Sequence, residues 1–241
     1  MKKQNGFTLV EIAIVIVIIG LLIGGVMKGQ ELLRTTQMNS LITDMTGIDT
    51  AFTQFWNKYN AIPGDILNPS GILPNCTAGA CADGGDANLQ IMDSNAAESA
   101  IPPAHTEEKF SAFHHLQAAG LITGIKSQLM SFGEGMPAAA IGGGYWLGHD
   151  LGTATTTVPV DHRSGTYISY GESRTTTNGE HMGGMLGAEV GAIDRKIDDG
   201  TPYTGRIVNH GDPANCVTGG TAYVENSTVT NCSIAMKTTT R

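Results

Sequence analysis

The chain has 241 residues, of which 41% are hydrophobic and 15% are charged, and its formal net charge is −8. This length is enough for one sizeable domain beside a membrane helix. Because an acidic chain has no general electrostatic attraction for phosphate groups, its composition gives no support to binding of nucleic acid or anionic lipid.

The first strong feature is an apolar segment near the N-terminus. From Phe7 to Met27 every residue is apolar, Gly or Thr, except Glu11. At about 1.5 Å per residue, 21 helical residues cross a bilayer core of roughly 30 Å. A secretory signal peptide would have a shorter apolar core of about 7–15 residues and an A-x-A-like cleavage site after it. An ordinary signal anchor explains the length but not the acid, since a carboxylate at the centre of a membrane helix costs about 2.5–3.5 kcal/mol.

The motif KKxxGFTLVE at residues 2–11 resembles the prepilin peptidase site of type IV pilins and type II secretion pseudopilins. The resemblance implies that a leader, residues 1–6, is removed by cleavage between Gly6 and Phe7, and that the new N-terminus at Phe7 is methylated. It also implies that Glu11 pairs with the N-terminal amine of a neighbouring subunit during assembly. The physical chemistry agrees, because the ammonium and the carboxylate are each costly alone in hydrocarbon and offset each other as a pair.

The same resemblance predicts the organisation and the partners of the chain. Residues 7–27 would be the transmembrane half of a long helix, residues 28–60 its soluble half, and residues 61–241 a periplasmic head, which we call the head. The subunit would sit in the bacterial inner membrane with a single span. Its partners would be prepilin peptidase, which also methylates, an inner-membrane assembly platform, and copies of itself or other pilins. We predict a structural subunit of a type II secretion pseudopilus or a type IV pilus-like filament. The alternative is a minor pilin on a cell-surface filament whose head binds a ligand as an adhesin.

A second apolar pattern continues the helix beyond the membrane segment. Apolar residues recur at spacings of 3 and 4, which defines one face of a helix; they are Met38, Leu41, Met45, Ile48, Phe52, Phe55 and Tyr59. Pro63-Gly64 then ends the pattern. The sequence therefore predicts one helix from about Phe7 to Tyr59. A coiled-coil seam would use this stripe, but we favour a head packed on it, because a long polar region follows.

The four cysteines all lie beyond the apolar segment. An even count in polar, loop-like sequence indicates two disulfides in an oxidising compartment. Four cysteines allow three connectivities, and we favour the sequence-local pairs Cys76–Cys81 and Cys216–Cys232. A zinc site is the alternative, but the spacing lacks the paired short knuckles of structural zinc sites.

Acidic and amide residues cluster after the first cysteine pair. Asp83, Asp86, Asn88 and Asp93 carry oxygen ligands suited to calcium, but their spacing does not match an EF-hand loop. Asx-turns are the interpretation that we favour. We therefore predict no cofactor, with calcium as the alternative.

The remaining segments predict an α+β, pilin-like fold in which the long helix packs on a head with an antiparallel β-sheet. The predicted elements are a loop at residues 64–105, a helix Thr106–Ala119, a strand Thr166–Tyr170, a helix from Met182 to Gly200, and strands Tyr203–Val208 and Tyr223–Ile234. Three sequence segments, at residues 59–65, 113–124 and 192–205, resemble parts of larger pseudopilin-like proteins. The chain has no HExxH, G-x-S-x-G or Walker motif, so we predict that it is not an enzyme.

Overall fold

The computed structural model describes residues 8–91, 108–150, 164–172, 183–211 and 213–239. The chain divides into two units, Met1–Asn39 and Ser40–Arg241. The described part of the first unit is helical from Leu9 onward, and all strands and the other helices belong to the second unit.

The dominant element is helix α1, which runs without a break from Leu9 to Tyr59 and has 51 residues. The helix ends where predicted, because Asn60 adopts a left-handed conformation with φ of 50° and Pro63 follows three residues later. The predicted start at Phe7 lies outside the described residues.

The N-terminal part of α1 is exposed along its whole length. Each residue from Leu9 to Leu33 is exposed to solvent in the isolated chain, although most of them are apolar. An 18-residue window of this helix has a mean hydropathy of 2.9. Among the described residues, α1 is therefore the helix whose length and composition suit a membrane span.

The apolar stripe in the second half of α1 is buried. Its central members, Leu41, Met45, Ile48, Phe52 and Phe55, are at most 6% exposed. Burial of a side chain of this size stabilises a fold by about 1.5–3 kcal/mol. The stripe is covered by the chain's own residues, so the prediction of a head packed on it is correct and the coiled-coil seam is wrong.

The described residues of the second unit form six strands. They are β1 (Gly144–Asp150), β2 (Gly165–Gly171), β3 (Ile207–Asn209), β4 (Val217–Thr218), β5 (Ala222–Tyr223) and β6 (Ile234–Lys237). Four of them form an antiparallel sheet in the order β1-β2-β6-β3, and β4 pairs with β5. Every residue of β2 is buried, so both faces of the sheet are covered at this strand. This arrangement confirms the predicted α+β class.

The described residues of the second unit form four further helices. They are α2 (Pro69–Ile72), α3 (Glu108–Ala118), α4 (Gly187–Ile197) and α5 (Pro213–Cys216), and a single 3-10 turn covers Gly79–Cys81. Helix α3 lies against β1 and the 3-10 turn, and α4 lies against β3 and β5.

Three predicted boundaries are wrong for identifiable reasons. The strand predicted at Tyr203–Val208 begins only at Ile207, because residues 201–206 form turns that include Gly205 at φ 76°. The strand predicted at Tyr223–Ile234 is two short strands separated by an exposed polar loop. Helix α4 starts at Gly187, since Met185 pairs with Cys232 in a β-bridge, and ends at Ile197, before the predicted end at Gly200. The predicted start at Met182 lies outside the described residues.

Strand β1 was missed. Its sequence, GYWLGHD, begins with the last of three consecutive glycines at residues 142–144, which indicate flexible sequence rather than a strand. The side chains of Tyr145 and Leu147 alternate with the neighbouring residues and are buried, a short period-2 signal that could have identified the strand.

Candidate processing and assembly segment, and the contacts of the head

The first turn of α1 is closed by a pair of reciprocal contacts between Thr8 and Glu11. The Thr8 amide and hydroxyl donate to Glu11 Oε2 at 2.8 and 2.9 Å, and the Glu11 amide donates to Thr8 Oγ1 at 3.3 Å. This is the capping-box arrangement, in which Thr precedes the helix and Glu lies at its third position. The carboxylate also faces the positive end of the helix dipole.

Sequence reasoning missed this second role of Glu11. The signal was present as Thr-x-x-Glu before an apolar run, which is the sequence pattern of a capping box. Glu11 is exposed in the isolated chain, so its carboxylate is accessible to another group besides Thr8. Gly6 and Phe7, the predicted cleavage and methylation positions, lie outside the described residues.

The cysteines are bonded in the sequence-local pairs that we favoured. Cys76 is joined to Cys81 and Cys216 to Cys232, and no cysteine is free among the described residues. The second disulfide lies beside the Met185–Cys232 bridge and the hydrogen bond from the Val224 amide to the Cys216 carbonyl. It therefore ties α5 to the approach to β6.

His115 connects two of the three segments that resemble pseudopilin-like proteins, residues 59–65 and 113–124. Its Nδ1 accepts a hydrogen bond from the Gly64 amide at 2.8 Å, and its Nε2 lies 2.9 Å from the Cys81 carbonyl. These partners require a neutral ring with the proton on Nε2. Burial lowers the pKa of His115 to about 4. A Cβ at Gly64 would lie 2.4 Å from the Glu108 carbonyl oxygen, so glycine permits the close approach of this turn to α3.

The loop after the first disulfide folds around Asp65. The Ala87 amide donates to Asp65 Oδ1 at 2.5 Å, and the Leu89 amide donates to Asp65 Oδ2 at 2.6 Å. Burial raises the pKa of this carboxyl above its usual range. Asp65 therefore organises residues 85–89 through backbone amides.

The calcium candidates occupy the same loop. Asp86 accepts from the Asn88 amide at 3.1 Å and Asn88 accepts from the Gln90 amide at 2.7 Å, as expected for the Asx-turns that we favoured. A carboxylate oxygen of Asp86 lies within 4.8 Å of those of Asp65 and Glu108, and Asp83 is not in this group of carboxylates. Asp93 lies outside the described residues. Calcium binding by Asp83, Asp86 and Asn88 stays the untested alternative to the prediction of no cofactor.

The third of these segments, residues 192–205, forms an acidic turn after α4 that covers one edge of the sheet. The Asp198 carboxylate accepts from the Arg206 and Ile207 amides at the start of β3, and the Pro202 carbonyl accepts from the Asn209 amide at 2.6 Å. Occupied amides cannot pair with another strand, which protects this edge from unwanted association.

Asp194 is the buried member of this acidic turn. It accepts from the Tyr223 hydroxyl at 2.8 Å and from the Gly200 amide at 3.2 Å. Its carboxylate also lies within 4.8 Å of those of Asp198 and Asp199. Burial raises its pKa to about 6, although both hydrogen bonds favour the charged form.

The C-terminal residues are attached to α1 through Asp49. This carboxylate accepts from Arg206 Nη2 at 2.5 Å and from the amide and hydroxyl of Thr239, each at 2.8 Å. Nearby, the Tyr145 hydroxyl of β1 donates to Asp44 at 2.9 Å. Acidic residues of α1 thus bind both β1 and the chain end that follows β6.

Comparison with known proteins concerns the N-terminal segment. Residues 1–27 match a family model described as the prokaryotic N-terminal methylation motif. No curated protein and no solved structure matches the chain. The matched residues include the Thr8–Glu11 capping box and most of the exposed apolar part of α1.

Proposed function

Residues 1–27 carry the prokaryotic N-terminal methylation motif, the signature of type IV pilins and pseudopilins, and from this premise we propose that the chain is a filament subunit. It is processed by prepilin peptidase after Gly6 and polymerises through α1 into a type II secretion pseudopilus or a type IV pilus-like filament. The observation that carries the proposal is the matched motif at the start of an exposed apolar helix.

The exposed apolar side chains of α1 require a membrane or other helices to cover them. Residues 9–33 present apolar side chains around the whole circumference of α1, which is far more apolar surface than a soluble monomer exposes. A membrane covers this surface before assembly, and the helices of neighbouring subunits cover it in a filament. The same surface therefore serves anchoring and polymerisation.

Cleavage after Gly6 creates a positively charged group that can pair with the Glu11 carboxylate. It releases the Phe7 amine as an ammonium at the start of the apolar helix, four residues from the carboxylate. A subunit that joins the filament out of register would leave both charges unpaired in an apolar environment, which is costly. Pairing between the Phe7 amine of one subunit and Glu11 of the next thus selects the correct register.

We propose that the head lies outside the cytoplasmic membrane. Two disulfides suit an oxidising compartment, and the leader precedes the membrane segment. In this arrangement the chain has a structural and not a catalytic role, in keeping with the motif, which indicates a class of structural subunits.

Processing is tested with the full chain in membranes that contain or lack prepilin peptidase. Intact mass should show loss of residues 1–6 only when the peptidase is present. Gly6→Leu should retain the leader in both cases, because a site that accepts Gly holds the backbone closely, and Asn5→Gln is the matched control that should be cleaved. Retention of Met1 in the unmodified chain with active peptidase would overturn the proposal.

A further inference from the structure

The loop between β5 and β6 contains a segment whose chemistry the filament function does not use. The sequence has three Asn-x-Ser/Thr triplets without proline in the middle, at Asn75, Asn226 and Asn231. This triplet is the acceptor pattern for attachment of a sugar to the asparagine side chain. Asn75 and Thr77 are exposed, as are Asn226 and Thr228, whereas Ser233 of the Asn231 triplet is buried. The Asn75 triplet differs from the Asn226 triplet in its disulfide-bonded middle residue and in the left-handed backbone of Asn75.

Two of the triplets are constrained by disulfides. In Asn75-Cys76-Thr77 and Asn231-Cys232-Ser233 the middle residue is a buried, bonded cysteine. Ser233, the hydroxyl residue of the second triplet, is itself 0% exposed. A transferase must bind the asparagine and the hydroxyl together, so the folded chain withholds the Asn231 triplet.

The Asn226-Ser227-Thr228 triplet is presented differently. Asn226 and Thr228 are both exposed, and the segment lies outside every strand. Ser227, the middle residue of the triplet, accepts a hydrogen bond at its hydroxyl from the Val229 amide at 3.2 Å. Neither Asn226 nor Thr228 makes a hydrogen bond within the described part of the chain, so an enzyme can bind the segment without breaking secondary structure.

The ordinary structural roles of a loop asparagine do not account for Asn226. Asn68 caps α2 by accepting from the Gly71 amide at 3.3 Å, and Asn88 closes an Asx-turn onto Gln90. Asn60 and Asn75 adopt left-handed backbone conformations with φ of 50° and 58°. Asn226 has none of these roles in the described structure, since its φ is not in that region and its side chain accepts no backbone amide.

We propose that Asn226 is an N-glycosylation site. The Asn226 carboxamide nitrogen forms a bond to the anomeric carbon of a sugar carried on a diphosphate donor. The bond from that carbon to the diphosphate oxygen breaks, the diphosphate leaves with the electron pair, and the amide proton passes to a base of the transferase. The donor is a sugar diphosphate linked to a lipid or to a nucleotide. The lipid-linked case rests on the proposed function, because it requires a membrane-bound subunit.

The test is peptide and intact-mass spectrometry of the full chain isolated from the membranes of its native cells. We expect a sugar mass on the peptide that contains Asn226 and none at Asn75 or Asn231. Asn226→Gln and Thr228→Val should each abolish that mass, whereas Thr228→Ser and Asn231→Gln should retain it. Incubation of unmodified protein with the transferase fraction should identify the donor, by comparing a lipid-linked sugar diphosphate with a nucleotide sugar.

The same spectra separate this proposal from the filament function. The N-terminal peptide reports processing at Phe7, and disulfide-linked peptides report a folded head, independently of the sugar. An unmodified Asn226 peptide in protein with a mature N-terminus and both disulfides would overturn the proposal. So would a sugar mass that survives in Asn226→Gln.

Discussion

Glu11 can act through its charge or through its hydrogen bonds, and the two roles separate under substitution. In the structure its carboxylate completes a capping box with Thr8, whereas the proposed filament needs its negative charge. Glutamine preserves the capping box, because Gln at the third helical position makes the same bond to the cap residue, but it cannot neutralise an ammonium.

We therefore predict that Glu11→Gln, as the sole copy, is cleaved and inserted normally but fails to enter filaments, as does Glu11→Ala. Thr8→Val removes the capping box and keeps the charge, at a cost of about 1 kcal/mol to the helix end, so it should still assemble. Shearing followed by immunoblotting measures incorporation, and membrane fractions serve as the control. Normal assembly of Glu11→Gln together with failure of Thr8→Val would show that capping, not charge pairing, is the role of Glu11.

His115 should stay neutral well below the usual pKa of histidine. Its folded pKa is about 4 against an ordinary value of 6.5, so the unfolded chain takes up the proton first as pH falls. The stability that neutral His115 contributes is complete above pH 6.5 and is lost between pH 6.5 and 4. The full loss is on the order of 3 kcal/mol, from about 1.36 kcal/mol for each pKa unit.

Nitrogen-15 NMR of the imidazole in detergent-solubilised protein checks this directly. We expect a neutral ring with the proton on Nε2 at pH 6 and no titration of His115 above pH 5. His115→Gln should reduce the loss of unfolding free energy between pH 6.5 and 4. A positively charged His115 at pH 6 would contradict the bonding pattern with Gly64 and Cys81.

At the scale of elements, Asp49 is the main polar attachment between α1 and the C-terminal residues. Asp49→Ala removes three hydrogen bonds and leaves Arg206 without its carboxylate. The Arg206 side chain is 35% exposed and can be partly hydrated, so the cost should be about 2–3 kcal/mol, below the range for a fully buried pair. Asp44→Ala, which removes one bond to Tyr145, should cost about 1 kcal/mol. Denaturant unfolding measures both, and equal costs would contradict the role of Asp49 as the main polar attachment.

The two disulfides should differ in their contribution to stability. In the chain-entropy model the cost depends on the closed segment, and the sequence separations are 16 for Cys216–Cys232 and 5 for Cys76–Cys81. Replacement of each pair by serine should therefore cost about 3 and about 2 kcal/mol respectively, with no effect on leader cleavage. Non-reducing peptide mapping checks the pairs, and four free thiols in the membrane-bound protein would contradict both pairs and the proposed compartment.

The predictable elements are those with a long apolar period. The stripe from Leu41 to Phe55 defined α1 and its buried face, because one helix face repeats over many turns. Strand β3 was misplaced because its start depends on the Asp198 carboxylate, a contact across the turn that no local pattern contains. Strand β1 was missed because its glycines have no side chains that show the two-residue alternation of a strand. Only the buried side chains of Tyr145 and Leu147 show this alternation.

The sequence predicted which residues are candidates for processing and assembly, but it did not predict the contacts between residues far apart in the chain. The motif at residues 2–11 led to the processing and assembly residues, since their spacing is local. The grouping of Asp86 with Asp65 and Glu108 was not predictable, because Glu108 comes from α3, more than twenty residues away in the sequence. The bond between His115 and Gly64 has the same origin, as it joins segments 51 residues apart.

For the molecule as a whole, the proposed function assigns anchoring and polymerisation to one apolar surface, residues 9–33, and the second unit has its own core and disulfides. Substitutions at Asp49 in α1, or at the cysteines of the head, should therefore change the stability of the second unit without preventing cleavage after Gly6. Substitutions at Gly6 should change processing, and those at Glu11 should change assembly, without altering the head. This separation is a property of a filament subunit whose N-terminal helix carries the assembly information.

The most direct test of this account is the N-terminal mass of the chain in the sheared filament fraction. The account predicts a chain that begins at Phe7, carries a methyl group on its amine, and is present in that fraction. A chain that still begins at Met1 there, or a mature chain that stays wholly in the membrane fraction while filaments form, would contradict it.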